Sequence, residues 1–219
     1  NDAIRQVWDK TNDGLETLPK NIDVLVQQID KAAQVFWSDP GRHKTGRLNL
    51  RKARYEIFNN GIGLDSQFDE DIRWAIADKC GQLMFEKTTL YPDAISTLNK
   101  LRHNKVKLAL VTNGTSTAQR KKINKFDLKN HFDHIQIEGE AGIGKPELDA
   151  YKKALTALEV NASETWMVGD NLEWEVIAPQ KLGIFSIWRD PQGDGTLPKN
   201  TTAKPDMIIT KLSELVTGY

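Results

Sequence analysis

The sequence predicts an α/β protein: a parallel sheet flanked by helices, joined to a separate small helical domain. Three observations predict it. Residues 1 to about 88 carry only helical periodicity. From residue 90 onward short apolar runs alternate with amphipathic stretches, the rhythm of strands covered by helices on both faces. Three of those apolar runs lead into polar or glycine-rich segments, as strands do when their carboxyl ends line a binding edge.

In the helical part, Ile4, Val7 and Trp8 fit one face. Ile22, Leu25, Val26, Ile29, Ala33 and Phe36 form a longer stripe at helical spacing, broken by Ser38-Asp39-Pro40-Gly41. Leu50, Ala53, Ile57 and Phe58 make a third stripe, expected to stop at Gly61 and Gly63. Phe68, Ile72, Ala75, Ile76, Cys80, Leu83 and Met84 make a fourth, which predicts a buried structural thiol at Cys80. These helices define a domain over 1–88 and leave 89–219 as the α/β core.

Within that core, Pro92 suits the first turn of a helix carrying Ile95, Leu98 and Leu101. A strand over 106–111, interrupted only by Lys107, runs into Thr112-Asn113-Gly114. A helix over 116–125 and a strand over 134–138 follow. The glycine-rich loop 139–145 then leads to a helix carrying Leu148, Tyr151, Leu155 and Leu158. Strands over 166–169, 184–188 and 207–209, a helix over about 173–182 and a short last helix complete a Rossmann-like parallel sheet.

Composition narrows the function. Thirty Lys and Arg balance thirty Asp and Glu, so bulk charge attracts neither nucleic acid nor an anionic membrane. No stretch approaches the roughly 18–20 apolar residues of a membrane span, and the polar, helical start does not resemble a signal peptide. Cys80 is the single cysteine, which excludes an internal disulfide framework and fits a cytoplasmic protein.

The stretch Trp166-Met167-Val168-Gly169-Asp170 reads as a buried strand, a sharp glycine turn and a carboxylate at the strand's end, with Glu175 close behind. Such a carboxylate suits a hard cation such as Mg²⁺. Thr112, Asn113 and Gly114 end another strand, and Lys145 follows a third. On one sheet edge these groups offer a hydroxyl, free N–H groups, a fixed cation and a metal-ready carboxylate, a set that suits a phosphate-like anion. Singly, each has a plainer role: a capping Thr, a solvated Lys, a capping Asp. Their shared position after apolar strands favours convergence.

The order Val-Thr-Asn-Gly at 111–114, Gly-Lys-Pro at 144–146 and Val-Gly-Asp-Asn-x-x-x-Glu at 168–175 resembles motifs two, three and four of the haloacid dehalogenase (HAD) superfamily. The resemblance covers nearly the whole chain and makes the helical domain resemble that superfamily's small helical cap. It implies a Mg²⁺-dependent phosphatase acting on a small phosphorylated metabolite. Thr112 and Lys145 would be catalytic, Thr112 binding the transferring phosphoryl group with help from Asn113 and Gly114, and Lys145 neutralising charge. Asp170 would ligate Mg²⁺. Glu175 stands where the family usually has Asp and would serve the metal through water. Among Arg47, Arg51 and Arg54 of the cap, Arg54 is the substrate-binding candidate.

One departure is large. The family's first motif, Asp-x-Asp-x-Thr, supplies its nucleophile and its general acid and base, and has no counterpart here. Asp69-Glu70-Asp71 falls in a helix with no strand before it. Gln192 to Leu197 places Gln in the nucleophile's position, and Arg189-Asp190-Pro191 upstream reads as no strand. Both are expected to be surface features. The expectation is that a strand of about 5–6 residues, bearing the nucleophile of an aspartyl-phosphate route, lies outside this sequence. The alternatives are a non-catalytic phosphate-binding or regulatory relative and a 2-haloacid dehalogenase. Gly139 to Lys145 also matches a P-loop, but Pro146 offers neither hydroxyl nor N–H to a nucleotide. The sequence leaves the particular phosphomonoester and the oligomeric state open.

Overall fold

A computed structural model describes residues 2–11, 22–63 and 68–216. The chain divides into two compact units, Asn1–Thr89 and Leu90–Tyr219.

The first unit is helical: α1 (Asp2–Thr11), α2 (Ile22–Ser38), α3 (Pro40–Gly46), α4 (Leu50–Ile62) and α5 (Glu70–Lys87). Ile4, Val7, Phe58, Phe68 and Ile76 form one buried cluster against Leu25, Val26 and Ile29 of α2. Phe36, Ala53 and Ile57 form a second. The Trp8 side chain lies outside the described residues. Three expectations need correction. The break at 38–41 is itself a helix start, because the Asp39 carboxylate caps α3 by accepting the Arg42 N–H at 2.7 Å and Pro40 fits the first turn. Gly61 lies inside α4 rather than ending it; a Cβ there would come 2.7 Å from the Ile29 Cα, so the glycine marks a close approach of α4 to α2. Cys80 is half-buried and Met84 is 62% exposed. The buried residues of α5 are Ile76, as expected, with Arg73 and Ala77, Arg73 donating to the Phe68 carbonyl and the Asn59 side chain. The apolar stripe continues in sequence beyond the part that neighbours cover.

The second unit alternates helix and strand: α6 (Ala94–His103), β1 (Ala109–Thr112), α7 (Ser116–Lys125), β2 (His134–Ile137), α8 (Glu138–Ala141), α9 (Leu148–Leu158), β3 (Trp166–Gly169), a π-helical turn (Glu173–Ile177), α10 (Ala178–Gln180), β4 (Phe185–Arg189), β5 (Met207–Ile209) and a closing 3₁₀ turn (Leu212–Val216). All strand pairs are parallel. β1 pairs with β2, Thr112 opposite Ile137. β3 pairs with β4, Gly169 opposite Trp188, and β4 pairs with β5. Ile187, Ile209 and Leu215 form one core cluster of this unit, with Val168 against it.

Among the described residues β1 and β3 each pair on one side only, leaving two separate sheets. The apolar run at β3, read from sequence as buried, and the one at β1 are therefore only half-buried, and Trp166 is 46% exposed. By contrast Ser186, Ile187 and Trp188 of the central strand β4 are buried. The strand expected over 106–111 starts later, because Lys107 is drawn aside to donate to the Leu158 carbonyl at 2.6 Å.

Candidate active site

The carboxyl ends of β1 and β3 each present a turn, and β2 passes directly into α8. After β1, the Asn113 side chain makes a reciprocal pair with the Lys145 backbone: Nδ2 donates to the Lys145 carbonyl at 2.7 Å, and Oδ1 accepts the Lys145 N–H at 2.9 Å. That pair pins the turn after β1 to the segment that carries Lys145. Lys145 is 9% exposed, and its Nζ donates to Glu175 Oε1 at 2.7 Å. Glu175 is 3% exposed, and its Oε2 accepts the Asn171 N–H at 2.8 Å. One connected chain of hydrogen bonds thus joins Asn113, Lys145, Glu175 and Asn171 across the ends of β1 and β3.

Glu175 reaches this position for two local reasons. It sits in the π-helical turn, anchored by the Tyr151 hydroxyl, which donates to the Trp174 carbonyl. Gly169 supplies the space: a Cβ there would lie 2.1 Å from Glu175 Cγ and 2.6 Å from Cδ. Any residue but glycine at the end of β3 would push Glu175 away from Lys145. Burial pushes the Glu175 carboxyl above the usual carboxylate range, opposed by the Lys145 ammonium and the Asn171 N–H, while the Asp170 charge adds to the upward shift.

The remaining expected residues fall as follows. Thr112, the last residue of β1, is half-buried beside Asn113. Gly114 is in the same turn, but its N–H is already engaged by Glu138 Oε2 at 2.9 Å. Asp170 is exposed at the end of β3, its carbonyl held by the Trp188 indole N–H at 2.9 Å. Arg54 belongs to the helical unit, where its guanidinium lies over Gly81 and Nε donates to the Ala77 carbonyl at 3.0 Å. Arg51 is held by Asp78 and stacks on Trp74.

Among the described residues no three His, Cys, Asp or Glu side chains gather as a metal site. Mg²⁺ needs fewer: one or two protein carboxylates, with water and substrate oxygens completing its shell. Asp170 fits a direct ligand, since among the described residues nothing hydrogen-bonds its carboxylate and it faces solvent. Glu175, with one hydrogen bond already on each oxygen, fits a contact through water.

Two acidic residues escaped the sequence reading. Glu138 is buried with its carboxylate on the Gly114 N–H. Asp190 is 1% exposed and accepts the N–H groups of Gln192 and Gly195. That corrects the expectation for 189–197: β4 runs directly into Asp190, and the following turn folds around a buried carboxylate. Closely spaced Asp, Pro and Gly at 190–195 are the signal of such a turn. The P-loop match also fails in the structure. Residues 138–141 are helical, and Glu140 pairs with Arg120 at 2.6 Å instead of leaving a phosphate cradle.

Residues 1–183 match the haloacid dehalogenase-like hydrolases. The chain belongs to that family. Among its relatives is a phosphoserine phosphatase of Thermus thermophilus, 37% identical over 126 residues, 58% of this chain and 49% of the relative. The chain thus spans about half the length of that relative. A ribulose-1,5-bisphosphate 5-phosphatase of Halopiger xanaduensis is 30% identical over 180 residues, covering 80% of this chain and 75% of the relative. Among solved structures, a HAD-hydrolase of Bacillus subtilis bound to magnesium is similar at TM-score 0.70 and 21% identity, over 97% of this chain and 87% of that one. The L-2-haloacid dehalogenase of Xanthobacter autotrophicus is similar at TM-score 0.60 and 20% identity, over 97% and 91%. At these identities the structural likeness carries the fold and not the chemistry. Among the described residues no helix is long and apolar enough to cross a membrane.

Proposed function

We propose that this chain belongs to a cytoplasmic Mg²⁺-dependent phosphatase that hydrolyses a small phosphomonoester through an aspartyl-phosphate. The single observation that supports the reading is the hydrogen-bonded chain Asn113–Lys145–Glu175, which links the segments carrying the second, third and fourth motifs. In this reading the Thr112 hydroxyl and the Asn113 N–H hold the phosphoryl oxygens. Lys145, oriented by Glu175, supplies a fixed positive charge to them. Asp170 holds Mg²⁺, which when bound neutralises charge on the transferring group. Arg54 is the substrate-binding candidate of the helical unit, which corresponds to the cap in this reading.

The nucleophilic aspartate is not among the 219 residues. Among the described residues β1 and β3 each keep one unpaired edge, which supports its arrival on a further parallel strand between them, with its carboxyl end beside Lys145. A carboxylate oxygen of that residue would bond to phosphorus as the ester oxygen departs and takes a proton. Water would then cleave the acyl phosphate to release inorganic phosphate and restore the carboxylate. Names of the relatives support phosphate esters as the substrate class.

A screen of the full-length protein on a panel of sugar phosphates, nucleoside monophosphates and phosphorylated small acids tests this, with 2-haloacids alongside. Phosphate release that requires Mg²⁺ is the expected result. Chloride release without metal would replace the reading with a dehalogenase. Phosphate binding with no turnover would replace it with a non-catalytic phosphate-binding protein.

A further inference from the structure

Glu138 is a charged side chain, 5% exposed, at the point where β2 passes into α8. A carboxylate is costly to bury, so its surroundings should explain it. Its Oε2 accepts the Gly114 N–H at 2.9 Å, while the Gly139 N–H donates to the Gly114 carbonyl at 3.0 Å. Both backbone polar groups of Gly114 are therefore held from the end of β2. The other side of the carboxylate rests on Gly144. A Cβ at that position would come 2.5 Å from Glu138 Cδ and 2.6 Å from Oε1. Glu138 thus occupies the space between the turn that follows Thr112 and the backbone that precedes Lys145. The same two segments are tied again by the reciprocal Asn113–Lys145 pair.

We propose that Glu138 is a positioning residue for anion binding, with Gly144 as its steric companion. By fixing Gly114, its carboxylate sets the turn so that the Thr112 hydroxyl and the Asn113 N–H face the same phosphate that Lys145 neutralises. This inference rests on the phosphatase reading for the identity of the anion. It adds a residue that does not touch the substrate, and it explains why the segment before Lys145 carries glycine at 144. Removing the carboxylate, shortening it, or adding a methyl at 144 should each let the turn relax by different routes to one defect.

The test uses the full-length protein, with orthophosphate as the probe and calorimetric titration as the readout. Glu138→Ala and Gly144→Ala should each weaken orthophosphate binding by about tenfold, the effect of losing one hydrogen bond to a charged group. The double variant should bind no more weakly than Glu138→Ala alone, because the methyl at 144 then meets no carboxylate. Glu138→Gln, which keeps an acceptor oxygen in place, should restore most of the affinity. Glu138→Asp keeps the charge and disturbs the fold least, and should still weaken binding because its oxygen falls short of Gly114. A merely structural role would lower thermal stability in Glu138→Ala without changing the phosphate affinity of the folded protein, and that result overturns the proposal. Wild-type affinity in Glu138→Asp, or additive losses in the double variant, also overturns it. Wild-type protein that neither binds orthophosphate nor hydrolyses a phosphomonoester defeats the phosphatase reading, and this proposal with it. Normal wild-type binding with unaffected variants removes Glu138 alone.

Discussion

Replacing Gly169 by alanine isolates the packing that holds the Lys145–Glu175 pair. In an ordinary strand interior this change stabilises by roughly 0.5–1 kcal/mol, because glycine loses more backbone freedom on folding. Here the sign should reverse. The new methyl would lie 2.1 Å from Glu175 Cγ, the fixed stem of the side chain and not its flexible end. Glu175 must then move, and Lys145 loses the Glu175 carboxylate while remaining buried. Exposures of 9% for Lys145 and 3% for Glu175 leave water little chance to compensate. Breaking a buried pair from one side costs about 3–5 kcal/mol. Taking about 3 kcal/mol, and roughly 2–4 °C per kcal/mol for a chain of this size, the thermal midpoint should fall by about 6–12 °C. Circular dichroism during heating measures it. In a Glu175→Ala background the same substitution should cost little, since the obstructing stem is gone. An unchanged midpoint for Gly169→Ala, or an equal drop in both backgrounds, would mean that Gly169 does not make room for Glu175.

Three further outcomes follow from the same geometry. Lys145→Ala should reduce phosphate release by the full-length protein by about a hundredfold or more, as expected for losing a preorganised charge at the reacting group; unchanged kinetics would remove Lys145 from the site. Glu140 is held down to a pKa of about 2, first by its two hydrogen bonds from Arg120 and then by Ser116. Since the folded pKa lies below the ordinary carboxylate value, the contact's contribution is present above about pH 4.5 and lost as pH falls toward 2; carboxyl-carbon NMR showing titration at an ordinary value would contradict the pairing. Arg54→Met should raise KM for the phosphomonoester with kcat little changed, and an unaltered KM would leave Arg54 as a helix-packing residue bound to Ala77.

How much of this was legible in the sequence depended on whether a feature is local. The apolar runs at 166–169 and 207–209 announced β3 and β5 because strands of a parallel sheet read as continuous apolar segments. The motif order placed Asn113, Lys145 and Glu175 at strand ends, where the structure joins them. What stayed hidden depends on contacts between distant segments. Nothing near residue 169 says that its missing side chain makes room for a glutamate on the next turn. Glu138 was read as the last residue of a strand and Gly144 as one of several loop glycines, yet they occupy one space. One helix limit failed similarly: Gly61 looks like a stop signal but is a contact point for Ile29, and α4 ends at Gly63, the other stop expected. Half-burial of β1 and β3 follows from their unpaired edges and not from their composition.

The most direct test of the central claim is a Mg²⁺ titration of phosphate release by the full-length protein and by its Asp170→Ala variant, on the best phosphomonoester from the panel. Turnover should rise with Mg²⁺ in the wild type and be abolished in the variant at every metal concentration. Near-normal, metal-stimulated turnover in Asp170→Ala would contradict the placement of the metal, and with it the chemistry assigned to these strand ends.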